Sequence, residues 1–304
     1  MLINKPIPFR YIFRKVRYDV LRVLLFSVTF HILKHFFMEH LPLIPLQLPT
    51  ILGTSISLIL AFNLNQSYDR WWEARKVWGA IVNDSRSLIL QLRGFLNDEQ
   101  MEPGEAQSLL RRVAFRQIAW CYALGQSLRG QEPIAEEQKD KLTGEELDYI
   151  STQNNKPYAL LMLHMRDLKE LYRSERINPF QQVQLDGTIT RLCDSMGKAE
   201  RINSTVFPVT YRLFVHFFIY LFLVVLSLAL VETVGIIEIP ILTFIATTFF
   251  LIEKTARHMQ DPFRNKPTDT AMTAIARTIE INLKQVLQEP DVPKPVTPEK
   301  FYLM

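Results

Sequence analysis

The chain has 304 residues, 48% hydrophobic and 22% charged, with a formal net charge of +4. That length suits one large domain or two small ones. The slight basic excess is too weak to imply nucleic acid, because membrane proteins keep such residues on their cytoplasmic side. The two cysteines, Cys121 and Cys193, form no CxxC pair, and no His or Cys cluster has metal-ligand spacing. A phosphate-cradling glycine loop, GxSxG and HExxH are all missing from the sequence. The residues therefore offer neither a metal site nor a cofactor site, and an enzyme is a poor reading. Strand-like alternation is almost absent, so an all-α fold is expected.

A helix needs about 20 mostly apolar residues to cross a bilayer. The first such segment, "VLRVLLFSVTFHILKHFFM", covers residues 20–38 and is interrupted by Arg22, His31, Lys34 and His35. The second covers about 41–62, with Pro42, Pro45 and Pro49 at its start. Then comes a polar, amphipathic stretch over about 63–207, whose apolar residues recur at helical spacing. Helix breaks are expected at Pro103-Gly104, between Gly130 and Pro133, and at Asn178-Pro179; Thr143 with Glu146 forms a capping signal. The third span, "YRLFVHFFIYLFLVVLSLAL" over 211–230, is apolar all round, unlike a soluble amphipathic helix. The fourth covers 236–252, followed by a helical stretch over about 253–288. Residues 289–304 are Pro-rich and charged and read as an extended tail.

Lys and Arg crowd the flanks before span one (Lys5, Arg10, Arg14, Lys15, Arg17) and after span four (Lys254, Arg257, Arg264, Lys266). The short links between spans one and two and between spans three and four carry neither residue. The positive-inside rule then predicts cytoplasmic termini, a cytoplasmic middle segment and reduced cysteines.

The second span carries a cluster of small polar residues among its aliphatics. Thr50, Thr54 and Ser57 share one face, with Ser55 and Gly53 beside them. Small residues are favoured where membrane helices touch, so packing and pore lining are equal readings of this face. Thr54, Leu58 and Phe62 recur every four residues, and apolar side chains in such a row could form a constriction that resists wetting. Beyond it lies "YDRWWEAR", with Asp69, Arg70, Trp71, Trp72, Glu73 and Arg75. This reads either as a rigid junction, its charges paired, or as an exposed helix with ordinary charge pairs.

"RWWEAR" after a span ending at Phe62 resembles the bestrophin family in its bacterial branch, as do "FPVTY" at 207–211 and "DPF" at 261–263. The resemblance implies a homopentameric ion channel in the bacterial inner membrane, a single domain over residues 1–304. Its partners are the lipid bilayer, further copies of itself and small monovalent ions, with no nucleic acid and no cofactor. It places the family's hydrophobic neck on Thr54, Leu58 and Phe62, where Thr54 departs from the usual aliphatic residue. It also implies a second, cytoplasmic constriction near "RINPF", at Ile177 or Phe180. The acidic run by which animal members bind calcium is replaced by "RNKPTD", so no calcium gate of that type is expected.

Selectivity is read from charge. The outer links and the start of span four offer Glu39, Glu232 and Glu238 and no base. An acidic mouth concentrates cations, so a cation preference is expected. An anion channel of the same fold and a non-conducting membrane scaffold are the alternatives.

Overall fold

The computed structural model describes residues 1, 5–37, 44–96, 101–205, 209–230, 234–299 and 301–303. Glu39, Glu232 and the "FP" of "FPVTY" lie outside the described residues. Ten α-helices make up the described fold, and its one β-bridge joins Glu299 to Tyr302. The chain divides into two compact units, Lys5–Trp71 with Val206–Asp261, and Met1–Asn4 with Trp72–Thr205 and Pro262–Met304.

The first is the membrane unit. Helix α1 spans Phe9–Phe37, α2 Gln47–Phe95, α8 Val209–Ala229 and α9 Glu238–Gln260. All four are long and apolar enough to cross a bilayer. Helix α1 starts earlier than expected, directly after Pro8, whose carbonyl accepts from Tyr11 N at 2.8 Å in the first turn. Helix α2 starts later, at Gln47, with Leu48 N bonded to the Pro45 carbonyl at 3.1 Å. It then runs unbroken past residue 62, 49 residues in all, because no proline occurs between Thr50 and Leu96.

Val23, Ile56, Leu60, Ile219, Leu223, Leu242, Ala246 and Phe250 form the core of this unit. At Gly53 a Cβ would lie 3.0 Å from the Phe222 ring, so glycine lets α2 and α8 approach closely. On the outside of α8, Leu213, Phe214 and Phe217 are each at least 60% exposed. An apolar face of that kind needs lipid or another subunit to cover it.

The second unit is built around α3, Glu105–Leu128, buried along most of its length. Helix α4 spans Glu136–Lys139, α5 Gly144–Ser151, α6 Lys156–Arg173, α7 Pro179–Ser204 and α10 Met272–Val286. Trp78, Trp120, Ile81, Ile118, Leu124 and Leu160 fill the core. The expected breaks are present. Gly104 opens α3 with φ 85°, a left-handed value that suits glycine, and Asn178 caps α7. Residues 291–298 carry no helix or strand, and beyond them Phe301 is buried. Cys121 and Cys193 are free thiols. Cys121 is fully buried, and burial pushes its pKa up to about 12, which makes it an inert packing group.

The Thr143–Glu146 capping box forms, and it has a second role. Glu146 Oε2 accepts from Thr143 N at 2.8 Å, while Oε1 accepts from buried Arg116 Nε at 2.7 Å. Arg116 Nη1 also donates to Asp167 Oδ2 at 2.8 Å and lies 3.5 Å from His164 Nδ1. Burial, and then the adjacent guanidinium, holds the His164 pKa well below its ordinary value. Unfolded His takes a proton below about pH 6.5, whereas folded His164 does not. Its contribution to stability is therefore complete above that pH and is lost as pH falls below it. The melting temperature should drop between pH 7 and pH 5, and His164→Gln should flatten that drop. An unchanged pH slope in the variant would remove His164 from the explanation.

Candidate ion pathway

On α2 one line of side chains has no cover within the subunit. Ile51 is 62% exposed, Leu58 57% and Phe62 59%, and Thr54 is exposed between them. The opposite line, Ile56 and Leu60, is in the core. The small residues divide the same way. Gly53 is the packing residue, against Phe222. Thr50, Thr54, Ser55 and Ser57 are exposed, and each hydroxyl donates to a carbonyl one turn back at 2.8–2.9 Å. These hydroxyls need no partner helix. Such self-bonding lets a row of mixed Thr, Leu and Phe face a lumen without unpaired donors.

Two contacts hold the back of this helix. Tyr211 donates its hydroxyl to the Ile59 carbonyl at 2.8 Å, between the Leu58 and Phe62 positions. Just past Phe62, Gln260 Nε2 donates to Asn63 Oδ1 at 2.9 Å and to Ser67 Oγ at 3.1 Å. Arg70 Nε donates to the Gln260 carbonyl at 2.5 Å. The end of α9 is thus clamped to α2. Sequence reading missed Asn63, Ser67 and Gln260; the i, i+4, i+7 spacing of Asn63, Ser67 and Arg70 was the available signal.

The six residues of the expected junction motif all lie within continuous α2. Tyr68 and Trp71 rings pack at 6.0 Å, and Trp72 is 45% exposed. Glu73 pairs with Lys76 at 2.6 Å on the surface, and Arg70 reaches α9. Asp69 is exposed and Arg75 half-buried. Beyond α9, Asp261 ends the helix and Asp269 is 1% exposed. Asp269 Oδ2 accepts from Lys266 N at 3.0 Å, and burial raises its pKa.

Two expectations need correction. Ile177 is 4% exposed and belongs to the core of its unit, so it has no side chain to offer a lumen. Phe180, in the first turn of α7 where the Asn178 cap turns the chain, is 87% exposed. Glu238 is 1% exposed rather than facing an outer mouth. Lys34 Nζ donates to its Oε2 at 2.5 Å, Ser227 Oγ donates to Oε1, and His31 Nδ1 lies 3.6 Å away. The charge that interrupts the first span is therefore neutralised inside the membrane unit. A second internal pair joins Asp19 to Lys254, and His216 Nε2 lies 3.7 Å from Glu253.

Known proteins of the same kind are similar over nearly the whole chain. The family model for bacterial and fungal bestrophin proteins matches residues 6–285. The voltage-dependent anion channel-forming protein YneE of Escherichia coli K12 is 30% identical over 253 residues, 83% of this chain and 80% of that protein. The protein alr2987 of Nostoc, described in the same words, is 29% identical over 245 residues, 79% of this chain and 78% of its own. The crystal structure of a bacterial bestrophin homolog from Klebsiella pneumoniae superposes with a TM-score of 0.82 at 25% identity, covering 91% of this chain and 100% of that one.

Proposed function

Because the chain belongs to the bacterial and fungal bestrophin family, whose members are membrane channels and not enzymes, we propose that five copies surround one pore for small monovalent ions in the bacterial inner membrane. Both termini and the second unit are cytoplasmic in this reading, and no calcium gate of the acidic-run type operates. Thr54, Leu58 and Phe62 form the neck, and Phe180 a second constriction in the cytoplasmic part. The observation that carries it is the uncovered line on α2, with Leu58 and Phe62 more than half exposed on a helix whose other side is core. One four-helix subunit cannot enclose a lumen, so that line needs further copies around it. Native mass spectrometry in detergent, paired with a liposome flux assay, tests this. A pentamer that conducts is expected; a stable monomer that conducts refutes it.

Selectivity has two readings. A cation preference rests on acids in links that carry no Lys or Arg, and with Glu238 neutralised it rests on Glu39 and Glu232. An anion preference is favoured by the names of the E. coli and Nostoc relatives. The reversal potential across a salt gradient separates them. If the acids set the preference, a Glu39→Gln, Glu232→Gln variant moves the reversal potential toward anions. The effect fades near 1 M salt, where the Debye length is about 3 Å. A wild type that prefers chloride selects the second reading.

A further inference from the structure

Helix α1 is longer than a bilayer requires. Its 29 residues rise roughly 43 Å, against a hydrocarbon core of about 30 Å. The stretch from Tyr18 to Phe37 alone covers about 30 Å. The surplus, Phe9 to Arg17, holds Arg10, Arg14, Lys15 and Arg17. One face of α1 is core, where Val16, Val23 and Ser27 are buried. Arg10, Arg14 and Arg17 stand at i, i+4 and i+7 on the other face, and all three are exposed. The same line continues as Leu21, Leu25 and Ile32, which are 50–60% exposed. It therefore changes from guanidinium to aliphatic side chains within one helix, as the surroundings of a span change from headgroups to hydrocarbon.

Tyr18 sits at the change. Arg17 stacks over its ring at 4.6 Å, and Arg17 Nη2 donates to its hydroxyl at 2.9 Å. Amphipathic rings collect at that depth of a membrane. Helix α9 supplies a second marker of the same level. Lys254 Nζ donates to the Lys15 carbonyl at 2.7 Å and pairs with Asp19, so the basic end of α9 lies beside these turns of α1. The positive charge here has no counterpart in the helix. Asp19 is the one acid in α1, and it is buried against Lys254 with Arg22 at 3.8 Å. Arg10, Arg14 and Arg17 make no ion pair among the described residues. Three guanidiniums within roughly 10 Å of helix are thus left facing outward, and each can fork onto a phosphate.

We propose that this line of α1 is a binding surface for anionic phospholipids, with Arg10, Arg14 and Arg17 on the headgroup phosphates and Leu21, Leu25 and Ile32 along the acyl chains. A lipid joins the two halves of the line, since it carries an anion and an apolar chain at the same spacing. A soluble anion meets the arginines alone. A zwitterionic lipid brings the phosphate together with a cation that the arginines repel. The surface does not depend on which ion the channel passes.

The test uses the full chain, purified as its oligomer in detergent. Phosphatidylglycerol and phosphatidylcholine of equal chain length are titrated in turn. Tm is the readout, and native mass spectrometry counts the lipids retained. Phosphatidylglycerol should raise Tm saturably, with a midpoint at least about tenfold below that of phosphatidylcholine. Glycerol phosphate, the same anion without acyl chains, should cause no shift. Arg10→Gln, Arg14→Gln and Arg17→Gln should each weaken phosphatidylglycerol about fivefold, the equivalent of about 1 kcal/mol per basic residue at an anionic surface. The triple Gln variant should lose the preference, and the triple Lys variant, which keeps the charge, should retain most of it. Equal midpoints for the two lipids overturn the proposal, as does a preference that survives in the triple Gln variant or a glycerol phosphate shift that matches the lipid's. If the triple Gln variant dissociates in lipid-free detergent while the wild type stays assembled, a second copy covers the line and the lipid proposal falls. If that variant does not fold, the wild type decides through salt. A preference unchanged near 1 M salt, where the Debye length is about 3 Å, overturns the proposal, and one that fades supports it.

Discussion

Phe62→Ala and Leu58→Ala should each raise ion flux by at least about tenfold, with assembly intact. Both side chains are more than half exposed within the subunit, so truncating them removes no core packing. Their partners behind the helix are others: Ile56 and Leu60 carry the packing, and Tyr211 and Gln260 hold the backbone and the turn below. In a narrow ring the same side chains exclude water from the lumen. Phe→Ala removes several apolar carbons per subunit, at about 0.8 kcal/mol per CH₂ equivalent. A tenfold change needs about 1.4 kcal/mol, so a small fraction of that apolar bulk around the ring suffices. Single-channel current in planar bilayers is the measurement. Thr54→Ala should change it little, because Thr54 already bonds its hydroxyl to the Thr50 carbonyl and adds one methyl of bulk. Variants that assemble and conduct like the wild type would move the constriction off α2.

The fold was legible in the sequence wherever a local rule decides. Apolar run length found the four spans, and Asn178, Gly104 and the Thr143–Glu146 pair marked helix ends that exist. The length of α2 was hidden because the hydropathy changes at Phe62 while the helix does not; only the absence of proline records that continuity. At the candidate site the spacing of Thr54, Leu58 and Phe62 identified one face of a helix, but not whether that face is covered. Ile177 and Phe180 are three residues apart with similar hydrophobicity, and the difference between them comes from the Asn178 cap, which turns one into the core and the other out. Glu238 was misplaced for a related reason. An acid at the start of a span reads as a surface charge unless its partner is known, and Lys34 is 204 residues away in the chain. The clamp between Gln260 and Asn63 is just as distant, at 197 residues. Periodicity carries no information at that range.

The Lys34–Glu238 pair should give the largest stability effect in the molecule. Lys34 is 3% exposed and Glu238 1%, and Lys34 Nζ also donates to the Ser227 carbonyl at 2.8 Å. Lys34→Met leaves a carboxylate in an apolar bundle with, among the described residues, Ser227 and His31 near it. Glu238→Leu leaves an ammonium with a carbonyl and no anion. Removing one partner of a buried pair typically costs about 3–5 kcal/mol. For a chain of this size that lowers Tm by on the order of 10 °C. The double variant Lys34→Met, Glu238→Leu should recover most of the loss, because apolar residues of similar volume fill the site without an unpaired charge. The comparison separates a charge effect from simple damage to packing. Non-additivity of that sign is the signature of direct pairing. The measurement is thermal unfolding of the detergent-solubilised oligomer, followed by size-exclusion chromatography for all three variants. If the double variant is as unstable as the sum of the singles, the pair is not what joins α1 to α9. If Lys34→Met alone melts with the wild type, the ammonium contributes nothing to stability there.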